Sequence, residues 1–181
     1  MAFEKISDRL VEVARTPRSL GFKIGIALLG MLVFVVVLPL ILFFAGKALD
    51  KYLLQDLARY LEAGFSLICM ICGLLLSGWA VLSQAIVGKG TPVPVAPTQH
   101  LIVGGPYKYC RNPMLLGITV YYLGVGAWFG SITIGLVMFL IMLGIGCFHH
   151  KFIEEKELRK RFGAEYEEYK KKTPFLIPKF L

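Results

Sequence analysis

A chain of 181 residues is the size of one domain, yet 56% of its residues are hydrophobic and its mean hydropathy is +0.67. Soluble domains keep that share at about half or below, so the composition excludes one and predicts a single membrane domain, 1–181. The net charge of +8 lies mostly toward the two ends; a basic tail at a membrane meets anionic headgroups, so membrane lipids are expected partners and nucleic acid, for which no motif is present, is not.

In chain order, the segment 1–20 places Phe3, Ile6, Leu10 and Val13 at helical spacing, with Glu4, Lys5, Asp8, Arg9 and Glu12 between them. This suits either a short helix lying in the membrane interface and ending near Pro17, or a solvated leader. The same charges interrupt any apolar core, so no signal peptide is expected. Ile24 to Ala45 and Ala63 to Val87 carry no charge, and each is long enough to cross roughly 30 Å of hydrocarbon. They predict transmembrane helices over 24–45 and 63–87. The connection between them mixes Lys47, Lys51 and Arg59 with Asp50, Asp56 and Glu62.

Met114 to Phe148 is again free of charge, too long for one span and suited to two. A turn at Trp128-Phe129-Gly130-Ser131 divides it into helices over 114–129 and 131–148, with glycine permitting the reversal and the aromatics suiting the headgroup zone. Lys5, Arg9, Arg15, Arg18 and Lys23 precede the first span, and nine basic residues follow His150. The positive-inside rule then places both termini and Gly88–Pro113 in the cytoplasm. The expected fold is an all-α integral membrane protein with four transmembrane helices, the last two a tight hairpin, and a cytoplasmic C-terminal helical segment within 151–181.

Cys69 and Cys72 form a Cys-x-x-Cys inside the second span. A quinone-linked thiol oxidoreductase would relay through a second pair on the same side, whereas Cys110 and Cys147 belong to the opposite one; small residues packing between helices is the reading retained. His149 and His150 precede Glu154 and Glu155, and the four-residue spacing of His150 and Glu154 gives half of a metal site. Membrane di-iron enzymes need clustered histidines and this chain has 3. A helix-end histidine pair favoured by the dipole is the better reading, and no metal is expected.

The segment Gly104-Gly105-Pro106-Tyr107-Lys108-Tyr109-Cys110-Arg111-Asn112-Pro113 follows the proline-rich 90–98. Asn112 before Pro113 is a helix start, with asparagine as cap and proline where its missing N–H costs nothing. The free N–H groups there, beside Arg111, make a site for a carboxylate or phosphate; the alternative is that Arg111 anchors the span at the headgroups and Asn112 only caps it. The tail suits one helix from Lys151 to Lys172, or two broken near Gly163. Glu155–Arg159, Glu157–Arg161, Glu167–Lys171 and Glu168–Lys172 are spaced four apart, acid first, and Leu158, Phe162, Tyr166 and Tyr169 form an apolar stripe. Glu154 has no basic residue four places on, so it reads as a ligand contact beside the membrane or as a solvated acid.

Gly105-Pro106-Tyr107…Arg111-Asn112-Pro113-Met114…Gly117, followed by Glu154-Glu155…Leu158…Phe162-Gly163…Tyr166…Tyr169…Pro174…Pro178, resembles the isoprenylcysteine carboxyl methyltransferase and phospholipid methyltransferase superfamily. The resemblance covers the last half of the chain. It implies an integral membrane methyltransferase that uses S-adenosyl-L-methionine, located in a prokaryotic inner membrane and acting on a lipophilic small molecule or lipidated substrate. It makes 88–113 a cofactor loop and implies that His100, Leu101, Ile102, Val103, Gly105, Tyr107, Arg111, Asn112, Glu154 and Glu155 enclose the cofactor, with Arg111 and Asn112 as the catalytic pair. Asn112 stands where carboxyl methyltransferases often have histidine, and asparagine cannot serve as a base near neutral pH. Pro174-Phe175-Leu176-Ile177-Pro178 lacks the arginine of the family's closing motif, and Gln99 stands where a histidine is frequent. Methyl transfer from a sulfonium rests on alignment and exclusion of water. The rival readings are a non-catalytic scaffold or binding protein that retains the fold, which the missing arginine favours, and a nicotinamide-dependent reductase of related architecture.

Overall fold

The computed structural model describes residues 2–15, 18–50 and 59–179, and among them every regular element is helical. They are α1 (Ala2–Arg15), α2 (Leu20–Leu32), α3 (Leu38–Asp50), α4 (Arg59–Ile86), α5 (Pro113–Phe129), α6 (Ile132–His149) and α7 (Glu155–Lys172). A π-helical turn, Val33–Val37, joins α2 to α3, and a second, His150–Glu154, joins α6 to α7; a 3₁₀ turn, Gly105–Lys108, precedes α5. Pro17, and the middle of the connection between the first two expected spans with Lys51 and Asp56, lie outside the described residues.

Three helices are long and apolar enough to cross a membrane: Leu20–Lys47, Leu61–Ile86 and Ile132–Lys172. The charge-free part of the third ends at His150, and Lys151 onward lies beyond it. Four spans are expected from the sequence, and α5 is the helix that falls short, apolar but only 17 residues long. The exposed faces of these helices are rich in large apolar side chains such as Leu28, Leu75 and Leu140. Apolar surface of that kind is stable against lipid and not against water. The chain is a multi-pass integral membrane protein.

The contacts divide the chain into two compact units. One consists of 31–77 and 114–145. Here the helices approach backbone to backbone. A Cβ added at Gly73 of α4 would lie 2.5 Å from the Tyr121 nitrogen and 2.6 Å from the Gly117 carbonyl of α5; one at Gly126 would meet Gly135 of α6 at 2.5 Å. Lipid-embedded helices associate through such small-residue contacts because burying apolar surface gains nothing in lipid. The π turn has an equally local cause. Pro39 brings no amide hydrogen, so a carbonyl one turn earlier loses its donor. The Leu38 N–H bonds to Val33 in π register. Tyr122 and Tyr121 of α5 donate their hydroxyls to the carbonyls of Phe34, at 2.6 Å, and Val35, at 3.1 Å. Tyr122 is fully buried. Of the cysteine pair on α4, Cys69 is buried, as packing requires, and Cys72 is exposed; both are free thiols.

The other unit consists of 1–30, 78–113 and 146–181. Here α1 docks on the C-terminal segment. The Phe3 ring meets Phe148 at 5.6 Å and Phe152 at 6.2 Å, and Lys160 donates to Ser7 at 3.0 Å and Asp8 at 2.6 Å. Helix α7 is kinked at Gly163, whose φ of 52° and ψ of −123° break the helical course. Of the two tail geometries the sequence allowed, the broken one is found. After α7 the chain runs back along 109–112: the Arg111 N–H donates to Pro174 at 2.9 Å and the Lys179 N–H to Tyr109 at 3.0 Å.

Candidate functional site

The cleft of interest lies wholly within the second unit. It is lined by Gln84 from the end of α4, Thr98, Leu101, Ile102, Tyr107, Arg111 and Asn112 from the loop, and His150, Glu154, Glu155, Leu158, Tyr166 and Tyr169 from the C-terminal segment. The loop keeps its course through tight local bonds. Gly88 accepts from the Gln99 N–H, Thr91 and Ala96 pair across a turn at 2.8 Å, and a Cβ on Gly90 would collide with the Thr98 backbone. Arg161 of α7 donates to the Thr98 carbonyl, and the Tyr169 hydroxyl donates to the Tyr107 carbonyl at 2.7 Å, so α7 is tied to the loop on both sides of its kink.

Arg111 is held by four groups. Its Nε donates to the Thr173 carbonyl at 3.1 Å, and its Nη1 to Glu155 at 2.6 Å and to the Tyr166 hydroxyl at 3.3 Å. The Phe175 ring lies 5.4 Å from the guanidinium carbon. An aromatic face therefore stands against Arg111 at the position where the family's closing arginine is missing. The Asn112 amide donates to the Phe175 carbonyl at 2.9 Å, and α5 begins at Pro113 as the sequence predicts. Glu155 also accepts from Lys170. Burial pushes its carboxyl upward, but Lys170 and Arg111 outweigh burial and hold it below the ordinary carboxylate range.

Glu154 is not the unpaired acid that its sequence spacing implies. Its partner precedes it: Nδ1 of His150 touches a Glu154 carboxylate oxygen. The two atoms are in direct contact, and the His149 ring lies 5.6 Å from that of His150. A π turn spans the pair, with the Glu155 N–H bonded to the His150 carbonyl one residue further back than an α-helix would allow. Burial pulls His150 down, yet the Glu154 charge more than offsets it and leaves the imidazole above its ordinary value. Glu154 is pushed up by burial and brought net below its ordinary value by His150.

The structure thus gathers Leu101, Ile102, Tyr107, Arg111, Asn112, Glu154 and Glu155 at one cleft. His100, Val103 and Gly105 do not line it; all three are exposed, and Val103 borders a separate cleft beside Lys172. Sequence reasoning passed over Gln84, Tyr166, Tyr169 and the site role of His150. Gln84 donates to the Tyr107 hydroxyl at 2.6 Å, while its own carbonyl oxygen is buried without a partner. Of the expected i, i+4 tail pairs, Glu157–Arg161 at 2.6 Å and Glu168–Lys172 at 2.5 Å form. Arg159 instead crosses the Gly163 kink to Glu167 at 2.5 Å, and Glu155 turns inward.

An all-helical multi-pass membrane protein with a cleft between a loop and a kinked C-terminal helix is the class these features define. The chain belongs to the phospholipid methyltransferase family, whose model matches residues 61–165, more than half of its length. It is also similar to methanethiol S-methyltransferase 1 of Bradyrhizobium diazoefficiens, 32% identical over 104 residues, or 57% of this chain and 33% of that protein. The match spans about a third of that relative's length. No solved structure matches.

Proposed function

We propose that this protein transfers the methyl group of S-adenosylmethionine to a lipophilic acceptor arriving from the bilayer, with the cofactor cleft on the cytoplasmic side of a four-span bundle. The observation that carries the reading is the meeting of Arg111 and Asn112, at the start of α5, with Glu154 and Glu155 in one cleft of a chain from the phospholipid methyltransferase family.

The cleft fits the cofactor in chemistry. Leu101, Ile102 and Leu158 offer apolar surface to a purine. The unpartnered Gln84 oxygen wants an N–H or O–H donor, and an adenine amine or a ribose hydroxyl is one. Glu154 suits ribose hydroxyls or the amino group, and Arg111 at a helix N-terminus suits the carboxylate. Bound there, S-adenosylmethionine supplies an electrophilic methyl on a sulfonium. The chain's own part is to orient donor and acceptor and to exclude water, which Tyr169, Arg161 and the returning tail do by fastening α7 to the loop. Among carboxylate, amine and thiol acceptors, the name of the Bradyrhizobium relative favours a thiol.

Titrating purified protein with S-adenosylmethionine tests the reading. Saturable binding is expected, weakened at least tenfold, about 1.4 kcal/mol, by Arg111→Ala, with the fold retained by circular dichroism. Unaltered affinity in that variant would favour the scaffold, and an absence of wild-type binding would remove the proposal.

A further inference from the structure

We propose that His150, positioned by Glu154, is the base that removes the proton from a thiol acceptor in this cleft. The inference rests on the methyltransferase reading and concerns the step that reading leaves open. A carboxylate arrives ionised and needs no base. A thiol arrives protonated, since a cysteine thiol titrates near pH 8.5 and a simple alkanethiol higher, and its neutral form is a poor nucleophile. Asn112 cannot take that proton, and Arg111 is permanently charged. Tyr107, Tyr166 and Tyr169 are buried phenols whose hydroxyls are engaged with Gln84, Arg111 and the Tyr107 carbonyl.

His150 differs from all of these. It lines the cleft, it is an imidazole, and its buried Nδ1 lies against a Glu154 carboxylate oxygen. Engaging one ring nitrogen with a carboxylate fixes the tautomer, leaves the lone pair on Nε2, and raises its basicity. Both residues lie in the π turn His150–Glu154, and such turns recur at functional sites. The groups facing the pair are His149 from α6, Glu155, Arg161 and Tyr166 from α7, and Tyr107 from the 3₁₀ turn. The acids and Arg161 oppose one another, so Glu154 remains the dominant influence on the imidazole.

In the step, the S–H bond breaks, its electron pair stays on sulfur, and the proton forms a bond to Nε2. The thiolate then attacks the methyl carbon, and the electrons of the breaking carbon–sulfur bond return to the sulfonium, giving a thioether and a neutral nucleoside thioether. The imidazolium afterwards releases its proton to water.

The experiment compares His150→Gln with wild type on two acceptors, octanethiol, which is protonated at neutral pH, and para-nitrothiophenol, which is already ionised. The expected result, with both rates taken at saturating S-adenosylmethionine, is a loss on octanethiol on the order of 100-fold greater than the loss on the nitrothiophenol. Equal losses on both, or none, overturn the assignment. A readout without turnover is thiolate absorbance on binding octanethiol in the presence of S-adenosylhomocysteine. It rises in wild type with an apparent pKa above that of free imidazole, and Glu154→Gln should lower that pKa. An unaltered midpoint in Glu154→Gln overturns the positioning role even if His150→Gln fails to fold. Failure of wild type to bind S-adenosylmethionine defeats the underlying methyltransferase reading, whereas normal binding and transfer with an unchanged acceptor ratio in His150→Gln defeats only this inference.

Discussion

Two buried polar arrangements concentrate the consequences of single substitutions. The Tyr122 hydroxyl donates to the Phe34 carbonyl just ahead of Pro39, and Tyr122→Phe takes that donor away. The expected cost is about 1–2 kcal/mol of stability, measured by unfolding in mixed micelles, because an orphaned acceptor bears its full desolvation penalty. Glu155 binds Arg111 and Lys170 with a carboxyl held below its ordinary range. A depressed folded-state pKa means stabilisation that is present above the unfolded carboxylate pKa and lost as pH falls through the folded value. The protein should therefore lose stability on the acid side of the ordinary carboxylate range. Glu155→Gln should remove about 2 kcal/mol at neutral pH and flatten that acid limb, read from melting temperature against pH. The sequence named Arg111 and Glu155 as site residues, but nothing in the spacing said that they would bind each other.

At the scale of an element, α7 depends on its break. Gly163 adopts a backbone conformation that a side chain strains, although the space around it is open. Gly163→Ala should thus cost about 1–3 kcal/mol through φ/ψ strain alone. It should also weaken S-adenosylmethionine binding, because straightening α7 separates the Arg161 and Tyr169 fastenings that lie on either side of the kink. Calorimetry of binding and unfolding on the one variant reads both effects. The π turn before α7 was less visible in sequence than the kink. Glycine announces a break by its chemistry, whereas His150 to Glu154 reads as ordinary α spacing and only the bonding register reveals the extra residue.

For the whole molecule, the testable matter is topology. If α5 crosses the membrane with the other three, both termini lie on one side, and the basic tail makes that the cytoplasmic side. Cysteines introduced near Glu4 and at Lys179 should be labelled by an impermeant maleimide only after intact cells are opened, while one at Ser131 should be labelled from outside. Labelling of all three from the same side would mean that α5 does not span.

The sequence by itself determined the class of solvent, the helical character, the hairpin at Gly130, the start of α5 at Pro113 and the residues that place the chain in its family. These follow from local chemistry: long charge-free runs, a proline with no amide hydrogen, an asparagine before it. Tertiary structure alone decided which partners the charged and polar groups take. Glu155 left its expected partner Arg159 for Arg111, far away in sequence, and Arg159 turned to Glu167 across the kink. Of the glycines available for close packing, Gly73 and Gly135 are used while Gly78 and Gly144 meet nothing. The physical reason is the same in each case: helical spacing fixes which face a residue occupies, but the neighbour on that face is chosen by how the elements pack, and that information is spread over the whole chain.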